Sequence, residues 1–218
     1  VFEPVELEGT TVERASLHNV SIMKELQLNI GDTITVYKAN QIIPQVKENL
    51  TKHGKAKVVI PKKCPICGGG TILMKENDSE VLMCENADCR GKLFGKLSHA
   101  VSRNALNIDG MSEATIQKFI DLGWLTSIKD IYHLIDHKTE MESLDGFGKK
   151  SIEKMLSAKE SRRNTSLERF IYALCIPLIG KSASKAIAKY FNYDYEAFMA
   201  AWFDRTFAWT ELDDFGLS

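Results

Sequence analysis

Four cysteines in two short pairs are the residues of this chain best suited to chemistry. The first pair is Cys64 and Cys67, and the second pair is Cys84 and Cys89. Two such pairs can supply four thiolates to one tetrahedral metal ion, and zinc suits a four-sulfur set with no open position. The spacing therefore predicts a structural zinc ion. The alternatives are an iron–sulfur cluster, two disulfides, or four scattered thiols.

The rest of the cysteine pattern indicates a reducing compartment. Pro65 and the run Gly68-Gly69-Gly70 favour a sharp turn around the first pair. The fifth cysteine, Cys175, stands alone in an apolar stretch. An unpaired thiol beside a thiolate metal site suits the cytoplasm. The chain also lacks an apolar run of about 20 residues and a signal peptide, so no membrane contact is predicted.

Charge is distributed unevenly along the 218 residues. The net charge of −1 argues weakly against a nucleic-acid partner, but an average hides local clusters. Acids concentrate near the end of the chain, after Asp194, which suggests that a polyanion binds another surface. A solvated charged face is the alternative for each basic cluster. The basic clusters are Lys47 to Lys63, Lys149 to Arg163, and Lys181, Lys185 and Lys189.

Three regions with different patterns predict a multidomain α+β protein. Residues 1–62 contain strand-like runs at Val5–Glu8, Thr33–Tyr37 and Ala56–Ile60, with a short helix over Ser16–Leu28. This layout fits a small β barrel of the oligonucleotide-binding (OB) type. Residues 63–92 form the short four-cysteine zinc module, with a strand at Val81–Met83. Residues 93–218 have helical spacing of apolar residues and predict an all-α domain.

The helical region contains a repeated element that predicts helix-hairpin-helix motifs. Each copy has an aliphatic residue four positions before a small or glycine residue and an apolar residue one position before it. The end positions are separated by 36, 32 and 36 residues. The four copies are Ile108 to Ser112, Leu144 to Gly148, Ile176 to Gly180, and Leu212 to Gly216, the last truncated by the end of the chain.

The repeat predicts a grip on DNA phosphates. The apolar residue packs between the two helices, and glycine lets the chain turn tightly and approach a ligand. The amides that follow lie at a helix N-terminus, where they can bind a phosphate oxygen. Copies one and four carry Ser112 and Asp214 in place of a glycine. We therefore expect these two copies to serve helix packing more than DNA contact. The predicted DNA-binding residues are Gly110, Gly146, Gly148, Lys149, Lys150, Gly180, Lys181 and Gly216.

The order of barrel, zinc module and helix-hairpin-helix repeats resembles the central and C-terminal part of bacterial NAD-dependent DNA ligase. The local sequence resembles that family at Leu7–Asn19, at Ile30–Asp32, at Lys38–Val46 and at Arg169–Leu174. The resemblance covers essentially the whole chain. It implies a monomer that encircles nicked double-stranded DNA for phosphodiester bond formation in replication and repair. It also implies a bacterial cytoplasmic protein associated with the nucleoid.

The resemblance also implies particular residues and cofactors. Lys38, Ile42 and Ile43 would contact the minor groove near the nick, although the two isoleucines alone also fit a core. The full-length enzyme uses NAD⁺ and Mg²⁺ and attaches AMP to the lysine of a Lys-x-Asp-Gly motif. Both Asp-Gly pairs here have another residue in the lysine's place, Asn107 and Ser143. We therefore expect a fragment with no catalytic residue of its own, inactive alone.

Two alternatives stand beside a ligase fragment. One is a separate zinc and helix-hairpin-helix module that binds DNA without a catalytic role. The other is a structural interaction protein whose repeats only pack helices. The barrel sequence favours the ligase over the separate module, and the lysines after the hairpins disfavour the purely structural alternative.

Overall fold

The computed structural model describes residues 1–39, 43–52, 56–76, 78–161 and 164–209. The chain divides into two compact units, Val1–Cys89 and Arg90–Ser218. Within the described part of the chain, we find no helix whose length and apolar character would let it cross a membrane. The fourth repeat copy with its Gly216, and also Ile42, lie outside the described residues.

The first unit consists of short antiparallel strand pairs and one helix. In the described part of this unit, β1 pairs with β2, β3 with β6, β4 with β5, and β7 with β8. Closure of these pairs into a barrel stays a prediction. The elements are β1 Val5–Leu7, β2 Thr10–Val12, α1 Val20–Glu25, β3 Asn29–Ile30, β4 Ile34–Ala39, β5 Ile43–Asn49, β6 Ala56–Lys57, β7 Thr71–Glu76 and β8 Ser79–Cys84.

Most of the predicted elements of this unit are present, and two are shorter than expected. Strand β6 covers only the first two residues of the run predicted at Ala56–Ile60. Helix α1 begins at Val20 because the side chain of Asn19 accepts a hydrogen bond from the Ile22 amide at 3.0 Å and caps the helix. It ends before Gln27, whose φ of 50° is left-handed.

A hydrogen-bond network around Asn49 links the end of β5 to the turn before β4 and to the end of α1. The Asn49 side chain is buried, and its Nδ2 donates to Asp32 Oδ2 at 2.8 Å and to Leu26 O at 3.2 Å. The hydroxyl of Thr51 donates to Asp32 Oδ1 at 2.9 Å. Burial raises the pKa of Asp32, but hydrogen bonds from Asn49, Asn29 and Thr51 outweigh burial and lower it to about 2.

The β7–β8 hairpin carries Cys84 to its site and is anchored to α1. The Glu80 amide donates to Ser21 Oγ at 2.7 Å, and the Glu80 carboxylate forms an ion pair with Lys24. These contacts lie between residues far apart in sequence. They join the cysteine-bearing hairpin to α1 of the same unit.

In the described residues of the second unit, 90–161 and 164–209, every regular element is a helix, as the sequence predicts. Helix α3 begins after Ser112, α5 after Gly148 and α7 after Gly180, so each described repeat copy leads directly into a helix. The elements are α2 Arg90–Val101, α3 Glu113–Asp121, a 3₁₀ helix Ile128–His137, α4 Lys138–Glu142, α5 Lys149–Ser161, α6 Leu167–Ala173, α7 Lys181–Tyr190 and α8 Tyr195–Phe203.

Two apolar clusters form the core of this unit, and the repeat residues belong to them. The first cluster joins α2, α3, α4, α5 and the 3₁₀ helix, and it includes Ile108 and Met111 of the first copy. Leu144 and Phe147 of the second copy pack against the same cluster. The residues of the third copy, Ile176 and Ile179, pack against the second cluster. The second cluster is formed by Leu167, Ile171, Ile187, Ala188 and Phe198.

Candidate metal site and nucleic-acid interface

The four predicted metal ligands come together in the first unit. All four Sγ atoms lie within 4.8 Å of one another. The Sγ of Cys64 is 3.9 Å from that of Cys89, and the Sγ of Cys67 is 3.6 Å from that of Cys84. A tetrahedral zinc ion with Zn–S bonds of about 2.3 Å separates its sulfurs by about 3.8 Å. All four cysteines are free thiols, so the donor set fits one metal ion rather than disulfides.

Backbone turns position the two thiols of the first pair. The Gly68 amide donates to Cys64 O at 2.9 Å, and the Cys64 amide donates to Gly69 O at 2.8 Å. Gly68 has a φ of 71°, a left-handed conformation that glycine adopts without strain. The turn predicted from the glycine run is therefore present, and it directs Cys64 and Cys67 toward the same point.

The second pair is positioned by the ends of two elements. Cys84 is the last residue of β8, and Cys89 immediately precedes α2. Between them, the Asn86 side chain accepts a hydrogen bond from the Asp88 amide at 2.9 Å. A side chain on Gly69 would lie 3.3 Å from Asn86 Cβ, so the two turns approach each other closely.

Backbone amides favour the thiolate form at the first pair. The Gly69 amide donates to Cys67 and lowers the pKa of that thiol to about 6. The amides of Cys67 and Ile66 lower the pKa of Cys64 in the same way. Burial raises the pKa of the Cys84 thiol to about 12. Four thiolates this close need a cation to balance their charge, and a bound metal ion supplies that charge.

Two helix N-termini in the second unit have the geometry expected of a phosphate site. Helix α7 has Gly180 as its N-cap, with no side chain that caps the helix, and α5 follows Gly148. A Cβ on Gly146, Gly148 or Gly180 would meet no atom within 4 Å. The first amides of a helix have no partner within it, and here a ligand can approach them closely.

The first repeat copy differs from the other two. Ser112 caps α3 by accepting a hydrogen bond from the Thr115 amide at 3.2 Å. A Cβ on Gly110 would lie 3.1 Å from Met155 Cβ, so Gly110 packs against α5. This geometry supports the expectation that copy one serves packing more than contact.

The predicted basic residues are not equivalent. Lys149 lies 3.9 Å from the Glu142 carboxylate and is partly neutralised. Lys150 and Lys181 form no ion pair with any residue that the structure describes. Lys118 donates to Asp145 O at 3.2 Å and lies over the Phe147 ring, which ties the second copy to α3.

A cleft of about 520 Å³ adds residues that the sequence analysis missed. Its basic lining comes from Arg103 before the first copy, from Arg169 on α6, and from Lys181 and Lys185 on α7. One acid, Glu168, also lines the cleft. Asn107 lies in the same loop as Arg103 and has a left-handed φ of 53°. No motif marks this loop, and a lone basic residue between two helices is the only signal for it.

Arg169 of α6 positions the loop that forms one wall of this cleft. Its Nε donates to Ala105 O at 2.8 Å, and its Nη2 donates to Arg103 O. The two hydrogen bonds hold residues 103–105 against α6 although they are more than 60 residues away in sequence. Arg169 therefore fixes the position of the cleft wall, and its guanidinium is hydrogen-bonded to the backbone of that wall.

Two of the residues assigned to the minor groove, Lys38 and Ile43, lie at the end of the β4–β5 pair. Ile43 pairs with Ala39 and is 49% exposed, so it is not part of a core. Lys38 is half-buried, and its Nζ donates to Glu8 O at 3.3 Å. Tyr37, which the sequence analysis missed, is also exposed. It lies on the same face as Ile43, because Ile43 pairs with Ala39 and Tyr37 is two residues before Ala39 in β4.

The first unit can hold a metal ion through four cysteines, and the second unit presents open helix N-termini with lysines beside them. Residues 1–58 match the family model of the NAD-dependent DNA ligase OB-fold domain. This match confirms the OB-fold prediction at the level of the domain family.

Relatives named DNA ligase align with most of the chain. That of Lachnoclostridium phytofermentans is 49% identical over 195 residues, which are 89% of this chain and 30% of the relative. That of Ruminiclostridium cellulolyticum is 48% identical over 195 residues, 89% of this chain and 29% of the relative. That of Fusobacterium nucleatum is 40% identical over 191 residues, which are 86% of this chain and 27% of the relative. The chain thus spans less than a third of these relatives, and its resemblance to part of an NAD-dependent DNA ligase is confirmed.

Proposed function

We propose that this chain is the DNA-binding part of an NAD-dependent DNA ligase, which holds nicked duplex DNA while the nick is sealed in replication and repair. The observation that carries the proposal is the pair of open helix N-termini at Gly148 and Gly180, in a chain similar to DNA ligases. In the proposal, the complete enzyme encircles the duplex as a monomer in the bacterial cytoplasm.

The second unit holds DNA through its phosphates. The first amides of α5 and α7 donate to phosphate oxygens, and Lys150 and Lys181 add positive charge at the same points. Arg103 and Lys185 extend this charge along the cleft. Phosphates are the same at every base pair, so this grip is independent of base sequence. In the first unit, Lys38, Ile42 and Ile43 contact the minor groove near the nick.

Zinc is the metal that the four cysteines hold in this proposal. The ion is structural, because four protein ligands leave no position for a substrate. Bound zinc supplies the positive charge that keeps all four thiols deprotonated. The cysteine-bearing turns then hold the β7–β8 hairpin in a single arrangement.

The 218 residues provide DNA binding, and the chemistry with NAD⁺ and Mg²⁺ depends on a lysine that they lack. In place of the lysine of Lys-x-Asp-Gly, this chain has Asn107 and Ser143. Incubation of the chain with labelled NAD⁺ is expected to give no covalent AMP adduct. An adduct detected by mass spectrometry would show that the nucleotidyl chemistry resides in this segment.

Salt dependence separates binding by charge from binding by neutral amides. Fluorescence anisotropy on nicked duplexes measures the affinity across a salt series. Lys181→Ala or Arg103→Ala should weaken binding and flatten the log–log salt slope by up to about 0.9, the value for one phosphate neutralised. Gly148→Val should weaken binding with a much smaller change of slope, because it blocks close approach and removes no charge.

The matched control is Lys129→Ala, which removes an exposed lysine from the 3₁₀ helix of the same unit. Its affinity and salt slope should equal those of the unmodified chain. If none of the three test substitutions changes affinity while circular dichroism shows an intact fold, the repeats are structural and the interaction-protein alternative is favoured.

A further inference from the structure

The third position of each described repeat copy has a left-handed backbone. The φ angles are 88° at Gly110, 85° at Gly146 and 65° at Leu178. Two copies thus use glycine, the residue that takes this conformation without strain, and the third uses leucine. The repeat therefore identifies Leu178 as a large side chain at a glycine position.

The hydrogen bonding of the third copy explains why its backbone is left-handed. The Ile179 amide donates to Ile176 O at 3.1 Å, which closes a four-residue turn with Pro177 and Leu178 at its centre. Proline at the first central position and a positive φ at the second are the marks of a type II turn. Glycine or asparagine is preferred at that second position, and leucine is disfavoured there.

The fold gains no buried apolar surface from this leucine. Leu178 is 91% exposed, among the most exposed large apolar side chains of the described residues. A strained backbone that supports an unburied apolar side chain indicates a ligand contact, because such strain concentrates at binding sites. The same tip in the second copy has only Gly146, with open space around it.

The surroundings of Leu178 identify the kind of partner. Gly180, two residues later, is the open N-cap of α7, and Lys181 and Lys185 follow on that helix. A partner must therefore offer an apolar surface immediately beside negative charge. The minor groove of duplex DNA does so, since it is lined by sugars, is flanked by phosphates, and admits apolar side chains such as leucine between base steps.

We propose that Leu178 enters the minor groove of duplex DNA while the N-terminus of α7 and Lys181 hold the adjacent phosphate. This inference rests on the proposed function, in which the second unit binds duplex DNA. It adds an apolar contact that requires a groove to the phosphate contacts, which require only negative charge.

The test replaces Leu178 in the whole 218-residue chain and measures duplex binding by anisotropy. Leu178→Gly should leave the thermal midpoint unchanged or higher, because glycine removes the strain. Its duplex affinity should fall about tenfold, as expected for one apolar side chain that loses most of its contact. The salt slope should stay the same, because no cation is lost.

Two further substitutions separate the side chain from the backbone. Leu178→Asn tolerates the left-handed turn but is polar, so it should bind as weakly as Leu178→Gly. Leu178→Met keeps an apolar side chain of similar size and should retain most of the affinity. The matched control is Ile135→Ala, which removes an apolar side chain that is 48% exposed on the 3₁₀ helix. Its affinity should be unchanged.

The outcomes distinguish this inference from the proposed function. If the unmodified chain binds duplex DNA and Leu178→Gly binds equally well, the inference is wrong and the proposed function stands. If the unmodified chain does not bind duplex DNA, the proposed function itself fails. An equal loss on single-stranded DNA, which has no groove, would also overturn the inference. A fall in thermal midpoint together with affinity would assign Leu178 a structural role.

Discussion

The two units of this chain are held together by different interactions. In the described residues of the first unit, only Val20, Asn49, Cys64 and Cys89 are buried, and two of these are candidate metal ligands. The second unit buries two apolar clusters that involve all of its longer helices. The first unit therefore depends on a polar network and a metal site, whereas the second depends on packing.

This difference predicts different sensitivities. Isolated two-stranded sheets are marginally stable in water, so the sheets of the first unit need further support. Metal binding supplies such support, because its free energy becomes folding free energy when the site forms only in the folded chain. A packed helical core instead responds to lost volume. Each of the following experiments perturbs one kind of support and measures both units.

Loss of a metal ligand should have the largest effect, and it should be confined to the first unit. Elemental analysis is expected to give one zinc ion per chain. Cys89→Ser should abolish zinc binding and expose the amides of β7 and β8 to hydrogen exchange, while α2 to α7 keep their protection. The control is Cys175→Ser, which removes a thiol of the second unit and should retain the zinc. Iron in place of zinc, or no metal, would contradict this prediction.

A cavity in the second unit should have the next largest effect. Phe119 is fully buried and contacts the rings of Trp124 and Phe147, with centroids 5.2 Å and 5.5 Å away. Phe119→Ala should destabilise the helical unit by about 3–5 kcal/mol, measured by denaturant unfolding followed at 222 nm. Phe203→Ala, a change at an exposed position, should cost far less. Loss of zinc from Phe119→Ala would show that the units do not respond separately.

The sequence predicts well the features that depend on local spacing. The two cysteine pairs give a compact sulfur cluster because each pair lies in its own short turn, and the glycine run predicts the first of these turns. The apolar repeat positions, such as Ile108 and Met111, are buried because helical spacing already places them on one face. In both cases, the residues that form the structure are close together in the chain.

The features that were missed depend on contacts between distant residues. The cleft wall at Arg103 is held by Arg169, and no local pattern shows that these two segments meet. The predicted strand at Ala56–Ile60 is only two residues long because its partner β3 is equally short. The repeat places Leu178 where two other copies have glycine, but only the structure shows that its backbone is left-handed and its side chain exposed.

The smallest predicted effect concerns the polar network of the first unit in acid. The pKa of Asp32 is about 2 in the folded chain, below the ordinary value of 3.8. A carboxylate whose pKa is lowered by folding stabilises the fold above its unfolded pKa, and this contribution is lost as pH falls through the folded pKa. The stability provided by Asp32 should therefore be complete above about pH 5 and should disappear between about pH 4 and pH 2.

Asp32→Asn removes this titration and should make the difference from the unmodified chain depend on pH. Hydrogen exchange of the β4 and β5 amides measures that difference. It should be constant above about pH 5 and shrink toward pH 2, because the protonated carboxyl of Asp32 no longer attracts Asn49 and Thr51. Acid also protonates the cysteines and releases the metal, but both chains lose it alike and the difference cancels this effect. Glu25→Gln removes an exposed carboxylate of the same unit and should show no such dependence. A pH-independent difference for Asp32→Asn would mean that the network is held by geometry rather than by the charge of Asp32.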